Sequence, residues 1–155
     1  MRRFLTSAYV RAALVVLVVL ALDQISKHLV RNAIVPGERI GVAPGIHLVR
    51  TSNHGVAFGL AAGNQVLVTV LVALALIALV VYFVTHALRP LIWLPTGLLL
   101  GGALGNLLDR VRSGSVTDFI QLPLGWPPFN LADVSIVVGV ALLLLVIEAP
   151  RRNSS

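Results

Sequence analysis

Val66 to Val84 is an uncharged run of 19 residues, and Leu91 to Leu108 is a second of 18. A helix needs about 20 mainly apolar residues to cross the hydrocarbon core of a bilayer. Each run therefore predicts a membrane-spanning helix. Composition agrees: 57% of the 155 residues are hydrophobic and 12% are charged, against about 25% charged in soluble domains. A soluble fold of this length has no way to hide so much apolar surface, so a bilayer must be the solvent for much of it. The length suits one domain.

The two ends of the chain are less simple. Ala12 to Leu22 is an uncharged stretch of 11 residues, and Val134 to Ile147 is one of 14. To span, the first helix must run on to about Val30, taking Asp23, Lys27 and His28 with it. The last must start near Asp133. Both short spans pull an aspartate toward the membrane boundary, where charge is expensive and points to function. The rival reading of the N-terminus is a cleaved signal peptide, with Arg2, Arg3 and Arg11 as its basic region. Asp23, Gln24 and Ile25 follow where a small-x-small cleavage site is needed, which argues against it.

Four spans place both termini on one side. Lys and Arg count six on each side of that arrangement, but they are denser in the two tails, so both termini are expected in the cytoplasm. The expectation is one membrane domain over 1–155, mainly α, with helices at about 10–31, 65–86, 91–109 and 133–150. Outer loops cover about 32–64 and 110–132. Glu38 to Val42 and Ile46 to Arg50, around Pro44-Gly45, are strand candidates, with Val116 to Leu122 as a third. Ala57 to Leu60 suits a short helix lying on the membrane. Trp126, Pro127 and Pro128 suit an interfacial loop.

Several chemistries drop out. Cysteine is absent, which removes disulfides, thiolate nucleophiles and Cys-based metal sites. His28, His47 and His86 share no metal-ligand spacing and no HExxH occurs, so neither a metal nor another cofactor is expected. Ser113 and Ser115 have no evident histidine partner. The net charge of +6 reads as juxtamembrane Arg facing anionic lipid. Nucleic-acid binding is not expected, because no basic stripe with interleaved aromatics exists.

The four aspartates, Asp23, Asp109, Asp118 and Asp133, all fall at the outer ends of helices or in the second outer loop. Asn53, Asn106, Asn130, Lys27 and Arg110 fall at the same level. Polar groups in membrane helices face the bundle interior or a wet cavity, so these should converge. Asp23 and Lys27, at i and i+4, suit a local ion pair. Asp109 beside Arg110 suits a terminal salt bridge. Gly97, Gly101 and Gly105 suit close helix packing. Asn53-His54-Gly55-Val56-Ala57-Phe58 reads locally as a turn. Asp133 suits a helix cap; capping does not account for Asp118, which sits between apolar neighbours. Two carboxylates a few ångströms apart cannot both ionise cheaply, so one keeps a proton. Such a pair supplies a base to activate water and an acid for the leaving nitrogen. On residues alone, two other readings stay open: a small transporter or ion-conducting module using intramembrane Asp and Lys, and a non-catalytic assembly subunit using its glycine face.

Five blocks in order resemble the lipoprotein signal peptidases, also called signal peptidase II. They are Asp23-Gln24-Ile25-Ser26-Lys27, Asn53 to Phe58, Gly101 to Arg110, Val116 to Phe119, and Phe129 to Asp133. The resemblance implies four transmembrane helices, a small extracytoplasmic sheet and an aspartyl dyad at Asp118 and Asp133. It also implies supporting positions at Asp23, Lys27, Asn53, Gly55, Asn106, Asp109, Arg110, Asn130 and Ala132. The implied activity is that of an aspartic endopeptidase in the bacterial cytoplasmic membrane, a monomer amid membrane lipid with its site at the outer face. It would cut diacylglyceryl-modified prolipoproteins just before the lipidated cysteine and be blocked by globomycin-type inhibitors. Ser26 and Val56 depart from the family's frequent Thr and Ala, and Val56, in the block that holds His54, adds bulk beside the site.

Overall fold

The computed structural model describes residues 2–55 and 65–148. Val56 and the expected interfacial helix over Ala57 to Leu60 lie outside them. Among the described residues the chain forms α1 (Arg2–Ala33), β1 (Arg39–Ala43), β2 (Ile46–Asn53), α2 (Gln65–His86), α3 (Trp93–Ser113), β3 (Val116–Gln121) and α4 (Leu131–Glu148). Three of the helices are long and apolar enough to cross a membrane, over Thr6–Ala33, Val66–His86 and Leu131–Glu148. α3 is of similar length, but four glycines and a polar last third lower its apolarity.

Those glycines set the packing. A Cβ on Gly97 would lie 2.7 Å from Val15 Cβ, one on Gly101 2.8 Å from Val19 Cβ, and one on Gly105 2.5 Å from Asp23 Oδ2. The contacts advance together along both chains, so α1 and α3 run parallel with their backbones nearly touching, as small residues permit in membranes. The next face of α3 takes α4. A Cβ on Gly102 would meet Ala132 O at 2.5 Å, and one on Gly139 would meet Leu99 Cγ at 2.8 Å. Here one index rises as the other falls, so α3 and α4 are antiparallel. Ala12, Phe83, Ala87 and Ile92 form a buried cluster with Trp93, Leu143 and Val146 against it. That cluster gathers the start of α1 and α3 with the finish of α2 and α4. Tyr9 stands edge-on to Phe83 and Arg11 lies 5.7 Å over the Trp93 ring, contacts that give the early turns of α1 partners and carry the helix back to Arg2.

The sheet closes the opposite end. β1, β2 and β3 are antiparallel in that order, with Ile40 opposite Leu48 and Thr51 opposite Asp118. Gly45, at φ +75°, makes the turn between β1 and β2. α3 runs past Leu108 to Ser113 and ends on Gly114 at φ 72°, whose N–H donates to Arg110 O at 2.9 Å, a left-handed cap that glycine adopts without strain. Val30, Ile34 and Phe119 pack with Leu48, Ile120 and Leu131, which seats the sheet on the last turn of α1 and the first of α4.

Candidate active site

Beneath that sheet the polar residues meet. Lys27 is fully buried. Its ammonium lies 2.8 Å from Asp23 Oδ2 and 3.1 Å from Asp109 Oδ2, and donates to Asn106 Oδ1 at 2.9 Å. An ammonium has three donors and no acceptor, so all three are engaged. The ion pair between Asp23 and Lys27 is present, but Asp109 does not pair with Arg110. Adjacent helical residues point about 100° apart: Asp109 turns in to Lys27, with Arg31 at 3.8 Å. Arg110 turns to the loop and donates to Asn106 O and Gly55 O at 3.3 and 3.1 Å.

Three asparagines face the two remaining aspartates, and each is oriented from behind. The oxygen of Asn106 is committed to Lys27, so its NH2 points away and donates to Asp133 Oδ1 at 2.8 Å. The oxygen of Asn53 accepts from Gly55 N at 3.0 Å, so its NH2 donates to Asp118 Oδ2 at 3.0 Å. Asn130 is the centre. Its oxygen accepts from Asp133 N at 3.0 Å, its own N–H donates to Asp133 Oδ2 at 3.1 Å, and its NH2 donates to Asp118 Oδ1 at 2.6 Å. The reciprocal bonds are a capping box at the start of α4. The cap itself is therefore Asn130, not Asp133 as expected: Asp133 sits in the first turn of α4 and supplies the reciprocal bond, and the same residues tie Asp133 to Asp118.

Asp118 is buried. Burial pushes its carboxyl up to about 6, with the charge of Asp133 adding and the amides of Asn53 and Asn130 pulling it down. Thr51 donates to its backbone oxygen at 3.0 Å. Asp23 reaches α4 as well, where its Oδ1 accepts from Ala132 N at 3.0 Å, and Asp109 Oδ2 accepts from Thr117 N at 3.2 Å. All eleven candidate residues thus fall in one connected set.

Gln24 belongs to that set and was not among the candidates. Its Nε2 lies 3.2 Å from Asp109 Oδ1, 3.3 Å from Gly105 O and 3.2 Å from Asp23 Oδ2. Its partner Asp109 is 85 positions away, and its place beside Asp23 in the first block was the one signal. Arg31, donating to Thr117 Oγ1 at 3.0 Å, was missed as well. Among the described residues no group of three His, Cys, Asp or Glu is arranged to hold a metal ion.

Residues 15–148 match the family described as signal peptidase (SPase) II. The chain is 48% identical over 132 residues to the lipoprotein signal peptidase of Moorella thermoacetica, covering 84% of this chain and 87% of that one. It is 32% identical over 145 residues to that of Staphylococcus aureus, covering 90% and 89%. A solved bacterial membrane enzyme superposes with a TM-score of 0.84 at 31% identity, over 93% of this chain and 91% of its own. A second does so with a TM-score of 0.81 at 32% identity, over 88% and 92%.

Proposed function

The chain belongs to the signal peptidase II family, membrane proteases that cleave the signal peptide from prolipoproteins, and we propose that Asp118 and Asp133 are its catalytic pair. The observation that carries this assignment is that one residue, Asn130, serves both carboxylates, its side-chain NH2 donating to Asp118 and its backbone N–H to Asp133. The substrate carries a diacylglyceryl-modified cysteine and is cut just before it.

The chemistry follows from the pair sharing a proton. The ionised carboxylate draws a proton from water, which attacks the amide carbonyl. The protonated one supports the carbonyl oxygen and then hands its proton to the leaving nitrogen. Burial pushes the Asp118 carboxyl up to about 6, which suits it to the protonated role. The remaining residues hold the pair. Lys27 fixes the amide of Asn106, and Asp23 and Asp109 balance Lys27 while bonding Ala132 N and Thr117 N. Arg110 holds the strand-end loop at Gly55, whose N–H sets Asn53.

In this reading the whole of 1–155 is one membrane peptidase domain, and α3 is a fourth span beside the three apolar helices. Both termini lie in the cytoplasm, and the sheet and carboxylates lie at the outer face of the bacterial cytoplasmic membrane. The alternation of helix directions supports that arrangement, as does the density of Lys and Arg in the tails. The enzyme acts as a monomer surrounded by lipid, and globomycin-type peptides occupy the same site. Ion conduction is disfavoured because the polar groups gather at one end instead of threading the bundle.

The test is cleavage of a lipidated precursor by Asp118→Asn and Asp133→Asn proteins. Each is expected to insert in the membrane and to lose cleavage by several orders of magnitude. Substantial turnover by both would remove the aspartyl mechanism.

A further inference from the structure

The segment between β3 and α4 carries an apolar tip that the catalytic arrangement does not use. Residues 122–129 read Leu-Pro-Leu-Gly-Trp-Pro-Pro-Phe, eight in succession without a charge or a side-chain carboxylate, amide or hydroxyl. Exposed loops are ordinarily polar, yet this one stands out from the fold. Leu124 is 102% exposed and Trp126 is 56% exposed.

The exposure is built in. Leu124 holds φ 66° and Gly125 φ 74°. The left-handed region is unfavourable for a residue with a Cβ, so the chain accepts strain to turn this leucine outward. The base is closed where Phe129 N donates to Ile120 O at 3.0 Å and Ile120 N to Phe129 O at 2.8 Å. The flank is propped by the β1–β2 turn, since a Cβ on Gly45 would lie 3.3 Å from Pro123 Cγ. On the neighbouring β1, Ile40 and Val42 are exposed too. A single exposed leucine is ordinary. A propped and strained loop that offers leucine and tryptophan side by side and carries no charge is not.

We propose that the Leu124–Trp126 tip inserts into the lipid of the leaflet at the site end of the bundle, seated at the boundary between headgroups and acyl chains. The occupant is lipid because the tip carries no charge and leads within a few residues into a helix apolar enough to cross a membrane. Phe129 at its base is two residues before α4, whose Val134 and Val137 are exposed as helix faces in a bilayer are. The indole prefers the headgroup level. Asp118 precedes Leu124 by six residues and lies on the strand that feeds the tip, so insertion fixes the depth of that strand. The proposal rests on the chain being a membrane protein and not on the assignment of the catalytic pair.

The sequence makes the test clean. It has two tryptophans and no cysteine. Trp93 lies at the other end, under Arg11, so Trp93→Tyr leaves Trp126 as the sole indole. The protein is reconstituted in phosphatidylcholine–phosphatidylglycerol vesicles whose chains are brominated either near the headgroup or deep. The emission is expected to be blue-shifted from that of a hydrated indole. It should also be quenched at least twofold by shallow bromines, and less by deep ones. Hydrated emission without quenching overturns the proposal. Leu124→Cys in the otherwise native chain carries a nitroxide and needs no change at Trp93. Its collisions with oxygen should exceed those with a water-soluble nickel chelate, and the reverse order overturns the proposal even where the tryptophan variant fails to fold.

Discussion

The two ends of α3 use one packing device for different purposes. Near its start, Gly97 and Gly101 let α1 approach, and the atoms met are Val15 and Val19. One step further along the same stripe, Gly105 again lets α1 approach, but the atom met is a carboxylate oxygen of Asp23. The first two contacts bury hydrocarbon. The third sets a buried anion that reaches Lys27 and the start of α4. Close helix packing is thus a structural requirement at one end and a placement device for charge at the other, so changes of one kind should separate fold from chemistry.

The largest effect is expected at Lys27. Lys27→Met keeps the volume and removes the charge, which leaves Asp23 and Asp109 buried without their common partner. Breaking a buried ion pair in this way costs about 3–5 kcal/mol. The variant should unfold at a much lower temperature in detergent and lose cleavage, because Asn106 also loses the contact that orients it toward Asp133. Lys27→Arg should restore little, since the rigid guanidinium fork does not match three acceptors arranged around a point charge. A Lys27→Met protein with native stability and activity would show that the network does not hold the site.

The glycine stripe comes next. Gly97→Ala and Gly105→Ala both place a Cβ inside contact distance, 2.7 Å from Val15 and 2.5 Å from Asp23, and overpacking of this kind costs about 1–3 kcal/mol. Both should lower thermal stability by similar amounts. Activity should divide them: after correction for folded protein, kcat for Gly97→Ala should stay near that of the parent, whereas kcat for Gly105→Ala should fall at least tenfold. Equal kcat values would break the comparison and return Gly105 to a packing role alone.

Legibility in the sequence follows the same divide. The helices were readable because hydrocarbon burial writes long uncharged runs, and the hairpin because Pro44-Gly45 separates two short β-prone segments. Asp133 was readable because 14 apolar residues are too few to span without it, and its capping bonds to Asn130 are local. Asp118 lacked such a signal. Its amide partners Asn53 and Asn130 lie 65 and 12 residues away, so its pairing with Asp133 came from the resemblance. For Asp109, adjacency in sequence points to Arg110, but a helix separates neighbours by more than a quarter turn, and its partners are Lys27 and Arg31. Gln24 escaped because an uncharged amide beside an aspartate carries no mark until Gly105 and Asp109 are folded against it.

The smallest expected effect is a displacement in pH, and it bears on the carboxylates themselves. Cleavage by a pair that must carry one proton is bell-shaped in pH, with limbs that report the pair. Asp118 is held at about 6 by burial, and the Asn53 amide opposes that rise by stabilising its charged form. Asn53→Ala removes the opposing bond, so the proton affinity of Asp118 goes further up. If Asp118 is the member that must keep its proton, the alkaline limb moves to higher pH and the acid limb stays. A hydrogen bond contributes about 0.5–1.5 kcal/mol, and one pH unit corresponds to about 1.4 kcal/mol, so the shift should be about one unit or less. A profile of kcat/KM against pH with the lipidated precursor checks it. Movement of the acid limb instead would exchange the roles of the two aspartates. A profile displaced in neither limb would mean that Asp118 does not titrate in the reaction, and the contrast between a charge-placing end and a packing end of α3 would then rest on Asp133 alone.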